Sequence, residues 1–533
     1  MLNFRSFLYV LLLVCACVPQ KISAQYDPKY PEPLPKLKGS LFLHGGGPVS
    51  AEQRKKFVEL AGGRNAKIIV IPTADYDDTV PEIQRRIWWQ YSPASLGLLH
   101  AETREQALQP GFCDPLKTAT GVWISGGRQT RLADAYLDTP VEDALKDVIR
   151  RGGVVGGSSA GAAIVTRIMI VRGEERVGMD LLPGAVVDQH FVKRQREPRL
   201  RNILAAHPSH VGFGIDEETA LIVQGRSLSV VGPSTVTVLI AEGGGRPERK
   251  EILSANSHSD LIALQRAAVA RQQPAFPPSD TGDPLVPQGS LVIAGEGKFP
   301  SGLLERFIEL AGGPTAALVY IPSEKAELIP KEPTMVEAFR KAGAQNITWL
   351  HTEDRERANH DQSLLKPLAE ARGIWFGGSG EWNLVDSYQN TKVHKLLHDV
   401  LARGGVIGGS AAGASIQGYF LPPGNADAMS EGYERGLGFL RGVAIDQHFT
   451  QQKRLTDLSK LVKAYPQLLG VGLDEATALV VQKHEARVMG NGSVAIFDAK
   501  REKSDAGEGY LSLRSGQKFD LASRKVIAEA VSK

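Results

Sequence analysis

The stretch Val154-Val-Gly-Gly-Ser-Ser-Ala-Gly-Ala-Ala-Ile-Val165 decides the fold. A β-branched pair leads into a glycine-rich turn, and an alanine-rich run suited to a helix follows. A strand that turns sharply into a helix is the joint of an α/β protein. Within it Gly157-Ser158-Ser159-Ala160-Gly161 fits Gly-x-Ser-x-Gly, and the frame selects Ser159, which has glycine two residues away on both sides. The glycines permit a turn tight enough to expose the central side chain. The helix N-terminus, Ala160 included, then presents N–H groups to a developing oxyanion.

Working outward, the turn occurs twice. Gly156-Gly-Ser-Ser-Ala-Gly-Ala162 returns as Gly408-Gly-Ser-Ala-Ala-Gly-Ala414, with Ala411 where Ser159 stood. Gly39-Ser-Leu-Phe-Leu-His-Gly-Gly-Gly47 answers to Gly289-Ser-Leu-Val-Ile-Ala-Gly-Glu-Gly297. Gly121-Val-Trp-Ile124 answers to Gly373-Ile-Trp-Phe376, and Asp188-Gln-His-Phe191 to Asp446-Gln-His-Phe449. Asp216-Glu-Glu-Thr-Ala-Leu221 pairs with Asp474-Glu-Ala-Thr-Ala-Leu479. So many matches in one order describe a tandem duplication in which one copy keeps the hydroxyl of a nucleophile and the other has lost it.

Within each copy, short apolar runs such as Lys67–Ile71, Gly121–Ile124 and Gly153–Val155 suit strands covered on both faces. Val141–Ile149 has apolar residues at helical spacing just before the third of them. Alternation of strand and helix implies a mostly parallel sheet with right-handed crossovers, and ligands bind beyond the strand C-termini, where the motifs fall. The Pro-rich stretch 273–284 reads as an exposed linker.

The 533 residues carry 42% hydrophobic and 23% charged side chains with a net charge of +3, a globular composition too weakly charged to argue for nucleic acid. Arg5 followed by the apolar run 7–18 and the small residues Ser23-Ala24 has the layout of a secretory signal peptide cleaved near Ala24. Cys15 and Cys17 would leave with it, so Cys113 remains alone, without an internal disulfide, and packs structurally. Lipid attachment at Cys17 is a minor alternative. The chain then divides into a signal peptide (1–24), a leader (25–36), a catalytic domain (37–271), a linker (272–287) and a second domain (288–533).

A serine hydroxyl needs a base. His190, at the end of the predicted strand 184–187 and flanked by Asp188 and Gln189, is the candidate, whereas His207 and His210 read as loop residues. A third group must orient the base. Glu217 is chosen from Asp216-Glu217-Glu218, with its neighbours left open. Arg194, Arg196 and Arg199 would clamp carboxylates if their guanidinium groups are free, or form a solvated basic face. The second copy has Gln452, Arg454 and Asp457 there. Gln129 lies on the loop after 121–124 with Glu381 as its counterpart, and the loop 45–47 would lend backbone N–H groups, from Gly46 and Gly47, to an oxyanion. No metal-binding spacing and no phosphate loop is seen.

These motifs together resemble cyanophycinase: the Gly-Gly-Ser-Ser-Ala-Gly-Ala turn, Asp-Gln-His-Phe, the three following arginines and Gly-Ile-Asp-Glu-Glu-Thr-Ala. The resemblance spans nearly all of 39–270 and, more weakly, 289–533. It implies two tandem three-layer α/β/α domains on a scaffold akin to class I glutamine amidotransferases. It also implies a triad of Ser159, His190 and Glu217, with Gln129, Asp188, Gln189, Arg194, Arg196 and Arg199 around the substrate, and no cofactor. The implied activity is serine-type hydrolysis of cyanophycin, a poly-aspartate bearing arginine on each β-carboxyl, to β-aspartyl-arginine dipeptides. The alternatives are a related aspartyl or isoaspartyl dipeptidase, or an acidic-polymer-binding protein without catalysis. Because the resemblance suggests homodimers, a fused degenerate copy is expected to replace a partner subunit, giving a monomer with an internal pseudo-twofold interface. A secreted or periplasmic protein with no membrane or nucleic-acid partner is expected.

Overall fold

The computed structural model describes residues 37–77, 79–295, 297–422, 431–447, 455–500 and 509–528. The proposed signal peptide and leader, His448, Gln452 and Arg454 lie outside them.

The first half is built on strands β1 (Ser40–His44), β2 (Lys67–Ile71), β3 (Ser95–Leu98), β4 (Gly121–Ile124) and β5 (Val154–Ser158), all parallel, in the order β3-β2-β4-β5-β1. β1 and β5 are buried along their whole length, as strands covered on both faces must be. The helix Pro140–Arg150, capped by the Thr139 side chain with proline in its first turn, buries Val141, Leu145, Val148 and Ile149 immediately before β5.

The next strands are β6 (Ile168–Val171), β7 (Glu174–Val177), β8 (Ala185–Gln189), β9 (Val211–Ile215), β10 (Ala220–Gln224), β11 (Ser227–Val231), β12 (Val236–Ile240), β13 (Arg249–Leu253) and β14 (His258–Asp260). β10, β11 and β14 extend the first sheet antiparallel beyond β1. The others form a second sheet, β13-β12-β9-β8-β6-β7, that the sequence patterns do not announce. The second half repeats the plan. Its parallel strands run 347–349, 318–321, 373–376, 406–410 and 286–294 in spatial order, followed by antiparallel 477–483, and a smaller sheet holds 440–447 and 469–473. The chain is thus two α/β domains in tandem with mostly parallel sheets.

The halves are joined by a largely buried ionic cluster. Asp386, 8% exposed, accepts from Arg266 Nε at 2.7 Å, from Arg226 Nη1 at 2.9 Å and from the Tyr433 hydroxyl at 3.0 Å. Arg226 also pairs with Asp260 in its own half. Arg246, Arg249 and Arg271 converge on Glu431, and Arg246 reaches Glu434 at 2.6 Å.

The structure corrects two expectations here. A twofold interface uses the same patch on both partners. Among the described residues, first-half residues 226–271 meet second-half residues 382–436, which is a head-to-tail arrangement. Asp134, the counterpart of Asp386, is exposed, and His484, the counterpart of Arg226, pairs with Asp520 within its own half at 3.3 Å. The linker is also not free in solvent. Phe276 stacks on Phe420 with a centroid distance of 5.8 Å, Arg435 lies over its ring, and Gln467 donates to the Pro278 carbonyl at 3.0 Å. The linker is thus laid on the second half.

Candidate active site

Three side chains meet at the C-terminal ends of strands from both first-half sheets. Ser159 follows β5, His190 follows β8, and Glu217 follows β9 by two residues. Ser159 Oγ lies 2.8 Å from His190 Nε2, and His190 Nδ1 lies 2.7 Å from Glu217 Oε1. The backbone at Ser159 has φ 51° and ψ −104°, a region that L-residues avoid and that a nucleophile elbow requires. Close packing fixes this turn: a Cβ on Gly157 would lie 2.7 Å from the Gly161 carbonyl carbon, and one on Gly161 would lie 2.1 Å from the Ile124 oxygen. Any larger residue at either place would push the helix off the sheet.

The loop after β1 positions the site through consecutive carbonyls. His44 O accepts the Ser159 N–H at 2.9 Å, Gly45 O accepts the His190 N–H at 2.7 Å, and Gly46 O accepts the Glu218 N–H at 2.8 Å. Gly46 lies flat against the imidazole. With φ 112°, a Cβ there would sit 2.2 Å from His190 Cε1, so only glycine serves.

Glu217 is the acid that reaches the base. Asp216 is turned elsewhere: its carboxylate accepts from the Ser234 hydroxyl at 2.7 Å and the Lys193 N–H at 2.9 Å, and Glu218 is exposed. Burial lowers the His190 pKa from its ordinary value, the hydrogen bond to Glu217 opposes this, and the Arg194 and Arg196 cations reinforce it. The bond from His190 holds the Glu217 carboxyl below the usual carboxylate range. The resting pair is therefore a neutral imidazole beside an ionised carboxylate.

The arginines do not form one free cluster. Arg199 Nε donates to Asp188 at 2.7 Å, its Nη2 also meets that carboxylate, and Arg196 Nη1 lies 3.6 Å from Asp188 and donates to the Gln189 carbonyl at 2.6 Å. Asp188 is fully buried, and burial pushes its carboxyl up while the two arginines pull it down. Arg194 stands apart from these two: it is exposed and pairs with Glu217, its Nε 3.9 Å from Oε1. Gln129 is the first residue of the helix Gln129–Tyr136 rather than a loop residue, and donates to the Ile170 carbonyl at 2.7 Å. Its oxygen accepts from Gln189 Nε2 at 3.3 Å, which leaves the buried Gln189 Oε1 without a partner among the described residues.

Of the expected oxyanion donors, Gly46 is engaged: its N–H points to His44 Nδ1 at 3.2 Å. Gly47, which is exposed, and Ala160, the first residue of the elbow helix, have no such partner among the described residues. His44 escaped the sequence reading. Its signal is the exchange for Ala294 in the second copy. Cys113 packs half-buried against the core, His207 pairs with Glu175 at 2.9 Å, and His210 lies against His207. Among the described residues no group of His, Cys, Asp or Glu is arranged to hold a metal ion, and no helix is long and apolar enough to cross a membrane.

In the second half Ala411 has φ 48° and ψ −118°, nearly the backbone of Ser159 without its hydroxyl. Glu475 stands by Gly297 as Glu217 stands by Gly47.

The model of peptidase family S51 matches twice, over residues 41–231 and 291–489. A cyanophycinase of Geminocystis herdmanii is 30% identical over 220 residues, which is 38% of this chain and 81% of that protein. One of Synechococcus elongatus is 32% identical over 219 residues, 38% of this chain and 68% of that protein. A solved peptidase from an acI-B1 Actinobacterium is 28% identical and covers 42% of this chain and 97% of its own, with a TM-score of 0.36.

Proposed function

The chain belongs to peptidase family S51 and is a serine-type peptidase, and from that premise we propose that its first half is an exported exopeptidase that cleaves cyanophycin through an acyl-enzyme on Ser159. The observation that carries this reading is the hydrogen-bonded series Ser159–His190–Glu217 at a strained strand-to-helix turn.

In the proposed mechanism Ser159 Oγ attacks the scissile backbone carbonyl while His190 Nε2 takes its proton. Glu217 holds the Nδ1–H and stabilises the imidazolium. The N–H groups of Ala160 and Gly47 receive the oxyanion. Collapse of the tetrahedral intermediate breaks the C–N bond, and His190 returns the proton to the leaving amine. Water, deprotonated by His190, then adds to the acyl carbon, and Ser159 leaves with that proton.

Arg194 would meet a substrate carboxylate, and Gln189 Oε1 would accept from an amide or guanidinium N–H. Asp188, Arg196 and Arg199 hold the wall behind them. The carboxylate and the guanidinium of a β-aspartyl-arginine unit would thus each have a hydrogen-bonding partner. The second half, without a nucleophile at 411, is proposed to be catalytically silent. Export rests on residues 1–24, and N-terminal sequencing of the secreted protein should begin at Gln25; retention of Met1 would sink that part.

The test incubates residues 25–533 with purified cyanophycin beside Ser159→Ala. Dipeptide release by the wild type alone supports the reading. Absence of release by a folded protein whose Ser159 still reacts with a fluorophosphonate would overturn the substrate and move it to another aspartyl peptide. An unreactive Ser159 beside an intact His190 would overturn catalysis itself and leave a polymer-binding protein.

A further inference from the structure

His44 is fully buried at the end of β1, directly opposite Ser158 in the parallel register with β5. Its Nδ1 lies 2.9 Å from Ser158 Oγ and 3.2 Å from the Gly46 nitrogen. An amide N–H can only donate, so Nδ1 is the bare acceptor, the Ser158 hydroxyl also donates to it, and the proton resides on Nε2. That Nε2 is buried with no hydrogen bond of ordinary length among the described residues, although the Gln53 side chain interacts with the ring. An unsatisfied buried donor is costly, and an apolar residue would avoid the cost.

The second half makes that other choice. Ala294 stands opposite Ser410 in the same register, and its methyl group cannot accept from the loop as His44 does. The bond from the elbow to that loop, Ala411 N–H to Ala294 O, is 3.3 Å, against 2.9 Å for Ser159 N–H to His44 O. The half that keeps the nucleophile keeps the histidine, and the half that lost one lacks the other.

We infer that His44 is a positioning residue: by accepting from Gly46 N–H and Ser158 Oγ–H at one nitrogen, it locks the 44–47 loop to the elbow and so sets the Ser159–His190 distance. The loop is the hub of the site, since its carbonyls hold Ser159, His190 and Glu218, and Gly46 faces the imidazole. Turning the Gly46 amide moves the surface on which the base rests. Locking its N–H toward His44 also leaves the following amide, that of Gly47, to meet an oxyanion. Neutrality is required, because a proton on Nδ1 would repel the Gly46 N–H. Burial, with the nearby Arg54 cation, pushes the His44 pKa down to about 4 and so supports it.

This inference rests on the proposed role of Ser159 as nucleophile, and its readout is chosen to be independent of the substrate. The rate of Ser159 labelling by a fluorophosphonate is measured for full-length wild type, His44→Ala, His44→Asn and His44→Gln, with the thermal midpoint of each. Asn places an acceptor where Nδ1 stands; Gln places one near Nε2. His44→Ala and His44→Gln should label about 100-fold more slowly, as expected when a reacting pair is displaced by about 1 Å. His44→Asn should recover most of the rate. Labelling of His44→Ala at the wild-type rate overturns the inference, and so does a loss in all three that merely follows their thermal midpoints. A wild type that labels but releases nothing from cyanophycin would sink the substrate assignment and leave this comparison intact.

Discussion

Replacing Gly46 by alanine should disable the site without unfolding the protein. The added Cβ would lie 2.2 Å from His190 Cε1, 2.6 Å from Nε2 and 2.7 Å from Nδ1. Carbon atoms rest at about 3.5 Å or more, so the imidazole must withdraw by roughly 1.3 Å. It has little freedom to do so while keeping its partners, because its backbone N–H is held by Gly45 O and its Nδ1 by Glu217. The 2.8 Å bond to Ser159 is then lost, and a displacement of that size costs about 100-fold in rate. The assay is fluorophosphonate labelling beside a thermal melt. Normal labelling of Gly46→Ala with an unchanged melt would refute the steric argument.

Three further outcomes follow from charge and burial. Rate requires neutral His190, so kcat/KM should rise with pH and level off, with its acid limb below the ordinary histidine value of 6.5; Arg194→Gln removes a cation that disfavours the imidazolium and should move that limb to higher pH, and no movement would exclude Arg194 from the site's field. Asp386→Ala leaves Arg226 and Arg266 facing each other across the junction of the halves, and removing one partner of a buried cluster costs about 3–5 kcal/mol, visible as an earlier or split urea transition; an unchanged midpoint would show that the junction rests on packing instead. His394 is buried and His398 half-buried; both donate to the same Leu437 carbonyl, and desolvation pushes their pKa values down to about 3 and about 4. The unfolded chain takes up their protons below pH 6.5 while the folded one does not, so stability should fall between pH 6.5 and 4 by about 3 kcal/mol for each, and a flat urea midpoint over that range would refute it.

The parallel strands and the elbow are legible in the sequence because local chemistry fixes them: β-branched runs, Gly at 157 and 161, and a capped amphipathic helix at 140–150. Ser159, His190 and Glu217 fall at strand ends, where pattern and catalytic need coincide, and duplication supplies the control at Ala411. What stayed illegible depends on contacts far apart in the chain. That His190 and Glu217 come from a different sheet than Ser159 follows from pairings such as β8 with β9, which no spacing records. The arginines look equivalent in sequence, yet Asp188 captures two of them because it is buried beside them. His44 is a single histidine in an apolar strand, and its meaning emerges only when β5 brings Ser158 beside it. The head-to-tail junction was hidden for a related reason: each copy presents a different surface, so repeat symmetry in the sequence suggests the wrong symmetry in space.

Ala411 separates what the fold demands from what the chemistry demands. Its φ of 48° and ψ of −118° reproduce a strain worth about 1–3 kcal/mol, although nothing at that position can attack. Catalysis therefore cannot be the reason the strain persists there. The reason is packing: a Cβ on Gly409 would lie 2.3 Å from the Gly413 oxygen, so this elbow is pressed together as tightly as the first. The helix that follows the neighbouring strand, Glu381–Tyr388, carries Asp386 to the junction, and the segment after 430 carries Glu431 and Tyr433. Loosening the elbow would shift that layer and unseat the anions that hold Arg226, Arg266 and Arg271. Packing is then a sufficient reason for the backbone of this turn without a serine. The second half's departures accordingly fall on side chains, at 294, 296, 411, 452 and 457, while its sheet order still repeats that of the first.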